Sequence, residues 1–232
     1  MANRRGLIVE KQRPGWLEII VLAIVYIVVV VVFSKIIVEQ TSETPIIMGL
    51  SLSALSAGAG LCAFAAAYFL RIRKPLPFGL KKTTGKWLIA GAALGVAVYV
   101  SGVVLFSILA FFGYTDFTTQ DAYREAATGG TLLFLLQLIL IAVATPIGEE
   151  FAFRGVLTSA LLRYGPWVSI IISSLIFAVA HGINEVLPIA FFTGLAAAYL
   201  FYRTGSVWPG VIVHCVNNGL ATLASFIVMN FL

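Results

Sequence analysis

Long apolar stretches, separated by short polar ones, run through this chain from residue 16 to its end. A helix needs about 20 mainly apolar residues to cross the hydrocarbon core of a bilayer. In lipid a helix satisfies its own backbone hydrogen bonds, so even the Val-rich stretch 28–32 is expected to be helical. The pattern predicts an all-α, polytopic transmembrane bundle with about seven spans: 16–38, 46–70, 87–112, 131–162, 167–181, 186–202 and 207–228.

Two regions do not fit a simple series of seven membrane-spanning helices. An eighth segment within 113–130, re-entrant or interfacial, is the alternative to seven spans and would move the C-terminus to the other side. The fourth span is long for one crossing and contains Pro146, so a tilt or a kink is expected there. The fifth and sixth spans are short, as suits helices that surround a site.

Composition supports the membrane interpretation and excludes other classes. The chain has 232 residues, of which 60% are hydrophobic and only 11% are charged. Such a chain lacks the polar surface of a soluble domain, and its spans leave no length for one. The net charge of +5 is therefore no sign of nucleic-acid binding, and no nucleic-acid partner is expected.

The basic residues divide unevenly between the two sides of a seven-span arrangement. One side holds the leader, the loop 71–86 and two later turns, with Arg4, Arg5, Lys11, Arg13, Arg71, Arg73, Lys74, Lys81, Lys82, Lys86, Arg163 and Arg203. The other side holds only Lys35 and Arg124. Because basic loops stay in the cytosol, this predicts a multi-pass protein of the plasma membrane with a cytosolic N-terminus.

Two adjacent carboxylates and an arginine lie inside the fourth span, in Gly-Glu-Glu-Phe-Ala-Phe-Arg-Gly at 148–155. Ionisable groups at membrane depth are costly and indicate a functional site. On a helix, Glu150 and Arg154 lie four residues apart and can pair. Glu149 is rotated about 100° away and is the poorer partner, which leaves it free for chemistry. A purely structural ion-pair cluster is the alternative.

Both histidines of the chain also lie in apolar segments. His181 follows Phe177 by four residues near the end of the fifth span, and His214 precedes Asn218 by four in the seventh. Each polar group left unpaired in lipid would cost about several kcal/mol. The histidines, the asparagines and the two glutamates are therefore expected to converge on one water-filled cavity. Asn217 competes with Asn218, but only Asn218 is expected to share the helix face of His214.

This set of side chains predicts a hydrolytic site. A carboxylate and an imidazole that share a water form a general base, and a histidine with an amide forms an oxyanion hole. Two histidines and a glutamate are also a zinc ligand set, although no HExxH pattern places them on one helix. A serine hydrolase is disfavoured, since no G-x-S-x-G occurs.

Three motifs in successive spans carry a resemblance to a known family. Glu149 to Arg154 resembles EExxxR, Phe177 to His181 resembles FxxxH, and His214 to Asn218 resembles HxxxN. Their order is similar to that in the CPBP family of intramembrane glutamic endopeptidases, which includes the Rce1-type CAAX prenyl proteases. The resemblance covers about 131–228 and predicts a catalytic core at 131–232, after an N-terminal part, 1–130, with the leader and the first three spans.

The resemblance implies a metal-independent peptidase without a cofactor. Glu149 with His181 would activate the water, His214 with Asn218 would stabilise the oxyanion, and Glu150 and Arg154 would support them. Expected partners are the bilayer and a peptide or membrane-anchored protein substrate. In the prenyl proteases the cavity opens to the cytosol, which agrees with the predicted orientation. A non-catalytic scaffold or immunity protein and a proton-coupled transporter are the alternatives, the latter disfavoured because no inverted pair of broken helices is visible.

Overall fold

The computed structural model describes residues 13–114 and 117–231, and all of its long secondary-structure elements are helices. Outside the described residues lie Arg4, Arg5 and Lys11 of the leader, and Asp116, which follows the third predicted span. The eight helices found there are α1 Trp16–Thr41, α2 Pro45–Leu70, α3 Gly85–Phe111, α4 Asp121–Ala126, α5 Thr131–Tyr164, α6 Pro166–Ala180, α7 Leu187–Thr204 and α8 Trp208–Phe231. No strand occurs among the described residues.

The predicted all-α membrane bundle is confirmed. Each of the seven predicted segments is a helix with bounds close to those expected, and α1, α2, α3, α5 and α8 are long and apolar enough to cross a membrane. Helices α6 and α7 are shorter, as the pattern predicted. Among the described residues of 113–130, the one helix is the six-residue α4, which is too short to span a bilayer.

Large apolar side chains on the outer faces remain exposed, as expected for helices that face lipid. In α1, for example, Ile24, Val28 and Val31 are all more than half exposed. Between helices, small residues permit close backbone contact. A Cβ on Gly60 of α2 would lie 2.4 Å from the Gly148 carbonyl carbon of α5, so these two helices touch backbone to backbone.

Two opposite ends of the bundle can be recognised from the contacts between loops. At one end, the Trp16 indole N–H donates to the Tyr164 hydroxyl at 2.8 Å and joins the start of α1 to the end of α5. The Ser206 hydroxyl donates to the Lys81 carbonyl at 2.7 Å and joins the α7–α8 turn to the α2–α3 loop. We call this end, which gathers the basic loops, the basic end.

The opposite end is formed by the loops 112–130 and 181–186, and we call it the acidic end. There the Thr119 hydroxyl donates to Glu185 at 2.8 Å and joins the two loops. Helix α4 packs on the start of α2 so closely that a Cβ on Gly49 would collide with the Ala122 carbonyl. Each long helix therefore runs between the basic end and the acidic end.

Helix α5 stays helical past Pro146 but changes its helix type on both sides of the carboxylates. Leu140–Ala144 and Phe151–Thr158 are π-helical, and Thr145–Glu150 between them is α-helical. The departure from a regular α-helix near Pro146 is thus a change of hydrogen-bond pattern, a π-bulge, while the expected tilt or kink stays a prediction. In this segment the Thr145 N–H donates to the Leu140 carbonyl, five residues back. Pro146 has no N–H to donate in the same way to Ile141, so the Ile141 carbonyl is free for another partner.

Candidate active site

Glu149 lies on α5 between the two π-helical segments and is almost fully buried, with 1% of its surface exposed. Its Oε1 accepts a hydrogen bond of 2.7 Å from the Ser56 hydroxyl of α2. Its Oε2 has no hydrogen-bond partner among the described residues and lies near both imidazoles. One carboxylate oxygen is therefore held in place, and the other is available to a bound molecule.

The two imidazoles approach the same oxygen from different helices. Nε2 of His181 lies 3.7 Å, and Nε2 of His214 lies 3.8 Å, from Glu149 Oε2. These separations exceed a direct hydrogen bond and allow one water to contact all three groups. Nδ1 of His181 lies 2.9 Å from the Phe177 carbonyl, which can only accept, so this nitrogen carries a proton and Nε2 faces the carboxylate.

Glu150 and Arg154 form the predicted buried pair, with Arg154 Nε 3.2 Å from Glu150 Oε2. The guanidinium also lies over the Phe177 ring, 4.5 Å from its centre. The other oxygen of Glu150 lies 3.6 Å from Nδ1 of His214, a contact that sequence reasoning missed. Glu150 therefore lies between the arginine and a histidine of the site, although 3.6 Å is too long for a direct hydrogen bond.

Phe177 is the common wall of this cluster. Its ring meets the His181 ring edge to face at 4.6 Å and the His214 ring at 5.7 Å between centres. Arg154 covers the same ring, so one fully buried aromatic side chain contacts three of the polar groups. Its aromatic faces and edges complement the positive guanidinium and the imidazole edges.

The asparagines lie beside His214 on α8. The Asn218 amide donates to the Ile141 carbonyl at 3.0 Å, which is the carbonyl that Pro146 leaves free in α5. The Asn217 amide donates to the Asn218 Oδ1 at 3.0 Å. Both asparagines line the cavity. The prediction that only Asn218 shares the face of His214 is wrong, because spacings of three and of four residues both fall on one helix face.

Ser56 could not be identified from the sequence, since α2 carries several serines and only one reaches Glu149. The close contact between Gly60 and Gly148 brings α2 near enough for this hydrogen bond. Next to the site, further polar groups of α2, α5 and α4 are hydrogen-bonded to one another. The Ser53 hydroxyl donates to Gln137 at 3.0 Å, and the Gln137 amide donates to the Tyr123 carbonyl at 3.3 Å.

A cavity of about 370 Å³ contains the predicted residues Glu149, His181, His214 and Asn218 in its wall. Its size lies within the range typical of small ligand pockets. The predicted convergence of these side chains on one cavity is therefore observed. Glu150 and Arg154 lie behind the wall, with no lining role.

The cavity extends from Glu149 toward the acidic end. Its outer wall includes Gln120, Arg124 and Glu185, and no residue of the basic loops lines it. The expectation that the cavity opens on the side of the basic loops is therefore wrong. Sequence position alone placed His214 near the basic end, but it could not reveal that the space beside it continues in the other direction.

Polar groups at the cavity mouth are already paired. Arg124 donates to Asp121 at 3.0 Å and to the Phe117 carbonyl at 2.9 Å. Partial burial acts to raise the pKa of Glu185, but hydrogen bonds from its own backbone N–H and from the Thr119 hydroxyl and N–H, with the charge of Arg124, outweigh it and lower this pKa below its ordinary value. Burial, with the charge of Glu149, raises the pKa of the Tyr123 phenol to about 12.

The chemistry open to this site follows from its groups. Glu150 is paired with Arg154, whereas Glu149 has no Lys or Arg partner and faces both imidazoles. This arrangement can hold a water, accept its proton and donate hydrogen bonds to a developing oxyanion. Among the described residues, no group of three metal-ligating side chains has a geometry that would hold a metal ion.

Comparison with known proteins agrees with these motifs. A family model described as Rce1-like, type II CAAX prenyl endopeptidase, matches residues 131–220. The chain is 30% identical over 171 residues to an uncharacterized 24.3 kDa protein of Escherichia coli, covering 70% of this chain and 74% of that protein. No solved structure matches it significantly.

Two further relatives have names that indicate an activity. A putative membrane peptidase of Bacillus subtilis, YdiL, is 25% identical over 138 residues, which cover 57% of this chain and 52% of YdiL. The membrane-embedded CAAX protease MroQ of Staphylococcus aureus is 25% identical over 164 residues, 66% of this chain and 65% of MroQ. The chain thus spans about half the length of YdiL and just under two thirds of MroQ.

Proposed function

This chain belongs to the Rce1-like CAAX prenyl endopeptidase family. On that premise we propose that it is a membrane protease, which hydrolyses peptide bonds with a water activated by Glu149 and His181. The observation that carries the proposal is the position of Glu149 Oε2, a buried oxygen without a protein partner, 3.7 and 3.8 Å from two imidazoles. A site that only binds a peptide does not require a carboxylate base beside groups that can donate hydrogen bonds to an oxyanion.

In the proposed reaction, Glu149 takes a proton from the water while the water oxygen bonds to the scissile carbonyl carbon. His214 and Asn218 donate hydrogen bonds to the oxyanion that forms. When the tetrahedral intermediate collapses, the C–N bond breaks and the leaving amine receives the proton from Glu149, with His181 relaying it. The products are a carboxylate and an amine, and the carboxylate of Glu149 is regenerated.

Glu150 and Arg154 act as supporting residues in this proposal. Arg154 neutralises Glu150 and packs on Phe177, while Glu150 faces Nδ1 of His214 and directs its Nε2 into the cavity. Ser56 holds Oε1 of Glu149 so that Oε2 faces the water. The catalytic core is proposed to be residues 131–232, with residues 1–130 contributing Ser56 and part of the outer wall of the cavity.

The substrate is proposed to be a peptide segment of a membrane-anchored or membrane-associated protein, cleaved at the plasma membrane. The mechanism is proposed to need no metal, with zinc held by Glu149, His181 and His214 as the competing hypothesis. A scaffold or immunity protein that binds a peptide in the same cavity without cleaving it is the alternative from another functional class.

A peptide-library assay on the purified protein in lipid vesicles tests the proposal. The expected result is a defined set of products, detected by mass spectrometry, whose formation is unaffected by chelators. Cleavage that stops with a chelator and returns with zinc contradicts the metal-independent mechanism. Peptide binding without any cleavage, across a library that samples all side chains at the cleaved bond, supports the scaffold instead.

A further inference from the structure

The active-site cavity lies entirely in one half of the bundle. Along α5 its wall begins at Gln137, near the acidic end, and continues inward through Ile141 and Thr145 to Glu149. These residues follow one another at four-residue spacing and form a single stripe on one helix face. Along α8 the wall runs from His214 to Ser225, again toward the acidic end. The catalytic groups are the floor of this cavity.

The bundle is closed between that floor and the basic end. Arg154, one turn past the carboxylates, is 1% exposed, and Phe78 of the α2–α3 loop is fully buried. The loop itself seals against α7, since a Cβ on Gly79 would lie 2.4 Å from the Phe201 ring. A molecule from the basic side would have to pass through this packed core to reach Glu149.

The positive charges of the described residues are concentrated at the basic end, opposite the end to which the cavity extends. Of the twelve Lys and Arg residues in the described part of the chain, nine lie at the basic end, namely Arg13, Arg71, Arg73, Lys74, Lys81, Lys82, Lys86, Arg163 and Arg203. Only Lys35 and Arg124 belong to the other side, and Arg154 is buried in the bundle. An excess of this size over short loops places the basic end in the cytosol.

Resting on the proposed function, we propose that the active site opens to the extracytoplasmic face, so that its substrate is a peptide segment delivered from the outer side of the membrane. The cavity position and the charge distribution are independent observations, and only this arrangement satisfies both. A lipid-modified C-terminus anchored in the cytosolic leaflet would lie on the closed side of the bundle. A translocated peptide, or the extracytoplasmic end of a membrane-anchored protein, would lie at the open side.

The depth of the cavity sets a limit on where such a segment is cut. His214 and Ser225 lie eleven residues apart on α8, which corresponds to about 16 Å along the helix axis. An extended peptide covers that distance with about five residues. A helix with its side chains is about 10 Å or more across, and over this depth it would fill more than the cavity volume of about 370 Å³, so the segment must unwind to enter. The scissile bond should therefore lie about five residues from the part of the substrate held at the mouth.

Single-cysteine labelling in intact cells tests the orientation. Cys62 and Cys215 are replaced by alanine, and one cysteine is introduced either by Ile183→Cys at the acidic end or by Lys82→Cys in the basic loop. Both positions are exposed. A membrane-impermeant maleimide should label the Ile183→Cys protein in intact cells and the Lys82→Cys protein only after permeabilisation. Any other pattern, whether reversed, both outside or both inside, overturns the inference.

A second measurement links orientation to entry. An impermeant peptide that the purified protein cleaves should also be cleaved when added outside intact cells, at least tenfold faster by wild type than by Glu149→Gln. Cleavage only after permeabilisation overturns extracytoplasmic entry while leaving the proposed function intact. Failure of the purified protein to cleave any peptide overturns the proposed function instead, and the labelling pattern still decides which face the cavity opens to.

Discussion

The Ser56 hydroxyl of α2 donates a 2.7 Å hydrogen bond to Oε1 of Glu149 on α5. This contact joins the N-terminal helices to the candidate catalytic carboxylate and leaves the other carboxylate oxygen, Oε2, near both imidazoles. Ser56 lies outside residues 131–220, the part of the chain that matches the family model. The geometry of Glu149 therefore depends on a helix that carries none of the three motifs.

Ser56→Ala should lower kcat by about tenfold or more, because a hydrogen bond to a charged group contributes about 1.5–3 kcal/mol. KM should change little, since Ser56 acts on the carboxylate and not on the substrate. Steady-state kinetics of the purified protein measure both constants. Ser34→Ala is the matched control, as Ser34 lies half-buried on α1 and its hydroxyl donates within its own helix, to the Val31 carbonyl. Equal kcat values for the two variants would contradict a positioning role.

Gly60→Ala should separate α2 from α5 and inactivate the protein. A Cβ there would lie within 2.8 Å of three backbone atoms of Gly148 and Glu149, which cannot move independently of the helix. Gly58→Ala, two residues earlier on the same helix, meets nothing within 4 Å and should behave as wild type. Thermal unfolding and cleavage rate, measured on both variants, distinguish the two sites. Full activity of Gly60→Ala would show that this helix contact does not position Glu149.

Arg154→Met should lower the free energy of unfolding by about 3–5 kcal/mol, because it leaves the buried carboxylate of Glu150 without its partner. The double variant Arg154→Met with Glu150→Leu should recover much of that loss, yet stay inactive because His214 loses the contact with Glu150. Unfolding in mixed micelles gives the free energies. Lys35→Ala, which breaks an exposed ion pair with Glu39, should cost less than about 1 kcal/mol.

A double variant that recovers both stability and activity would contradict the role given to Glu150. In that case the ion pair would only fill space between α5 and α8, and the 3.6 Å approach of Glu150 to His214 would have no catalytic consequence.

Asn218→Ala should lower kcat about 100- to 1,000-fold, the usual cost of removing one oxyanion donor. Asn217→Ala should lower it less, since Asn217 acts through its hydrogen bond to Asn218. Asn218→Ala should also reduce stability, because the Ile141 carbonyl loses its donor. Kinetics and unfolding of both variants provide the comparison. A larger kcat loss for Asn217→Ala would assign the oxyanion to that neighbour.

Much of the fold follows from the sequence because apolar length is a strong signal in a membrane protein. The seven segments were bounded by charged or turn residues, and the helices begin and end within a few residues of those bounds. The pairing of Glu150 with Arg154 followed from their spacing on one helix. The meeting of Glu149, His181 and His214 followed from the cost of leaving polar groups in lipid.

Other features depend on contacts between helices that no local pattern contains. Ser56 reaches Glu149 only because two glycines on different helices allow the backbones to touch. The Ile141 carbonyl becomes an acceptor because of a π-bulge and a proline, and its donor comes from α8. The side on which the cavity opens depends on which half of the bundle is filled by side chains, and that is a property of the packed structure.

The decisive measurement of the role of Glu149 is the cleavage rate of Glu149→Gln, compared with wild type and with Glu39→Gln in the same vesicles. Glutamine keeps the shape of the side chain but cannot accept the proton of the water. Glu39 lies exposed on α1, far along the chain from the cavity-lining residues. The account predicts a loss of about 100- to 10,000-fold for Glu149→Gln and none for Glu39→Gln. Cleavage by Glu149→Gln at the wild-type rate would contradict it.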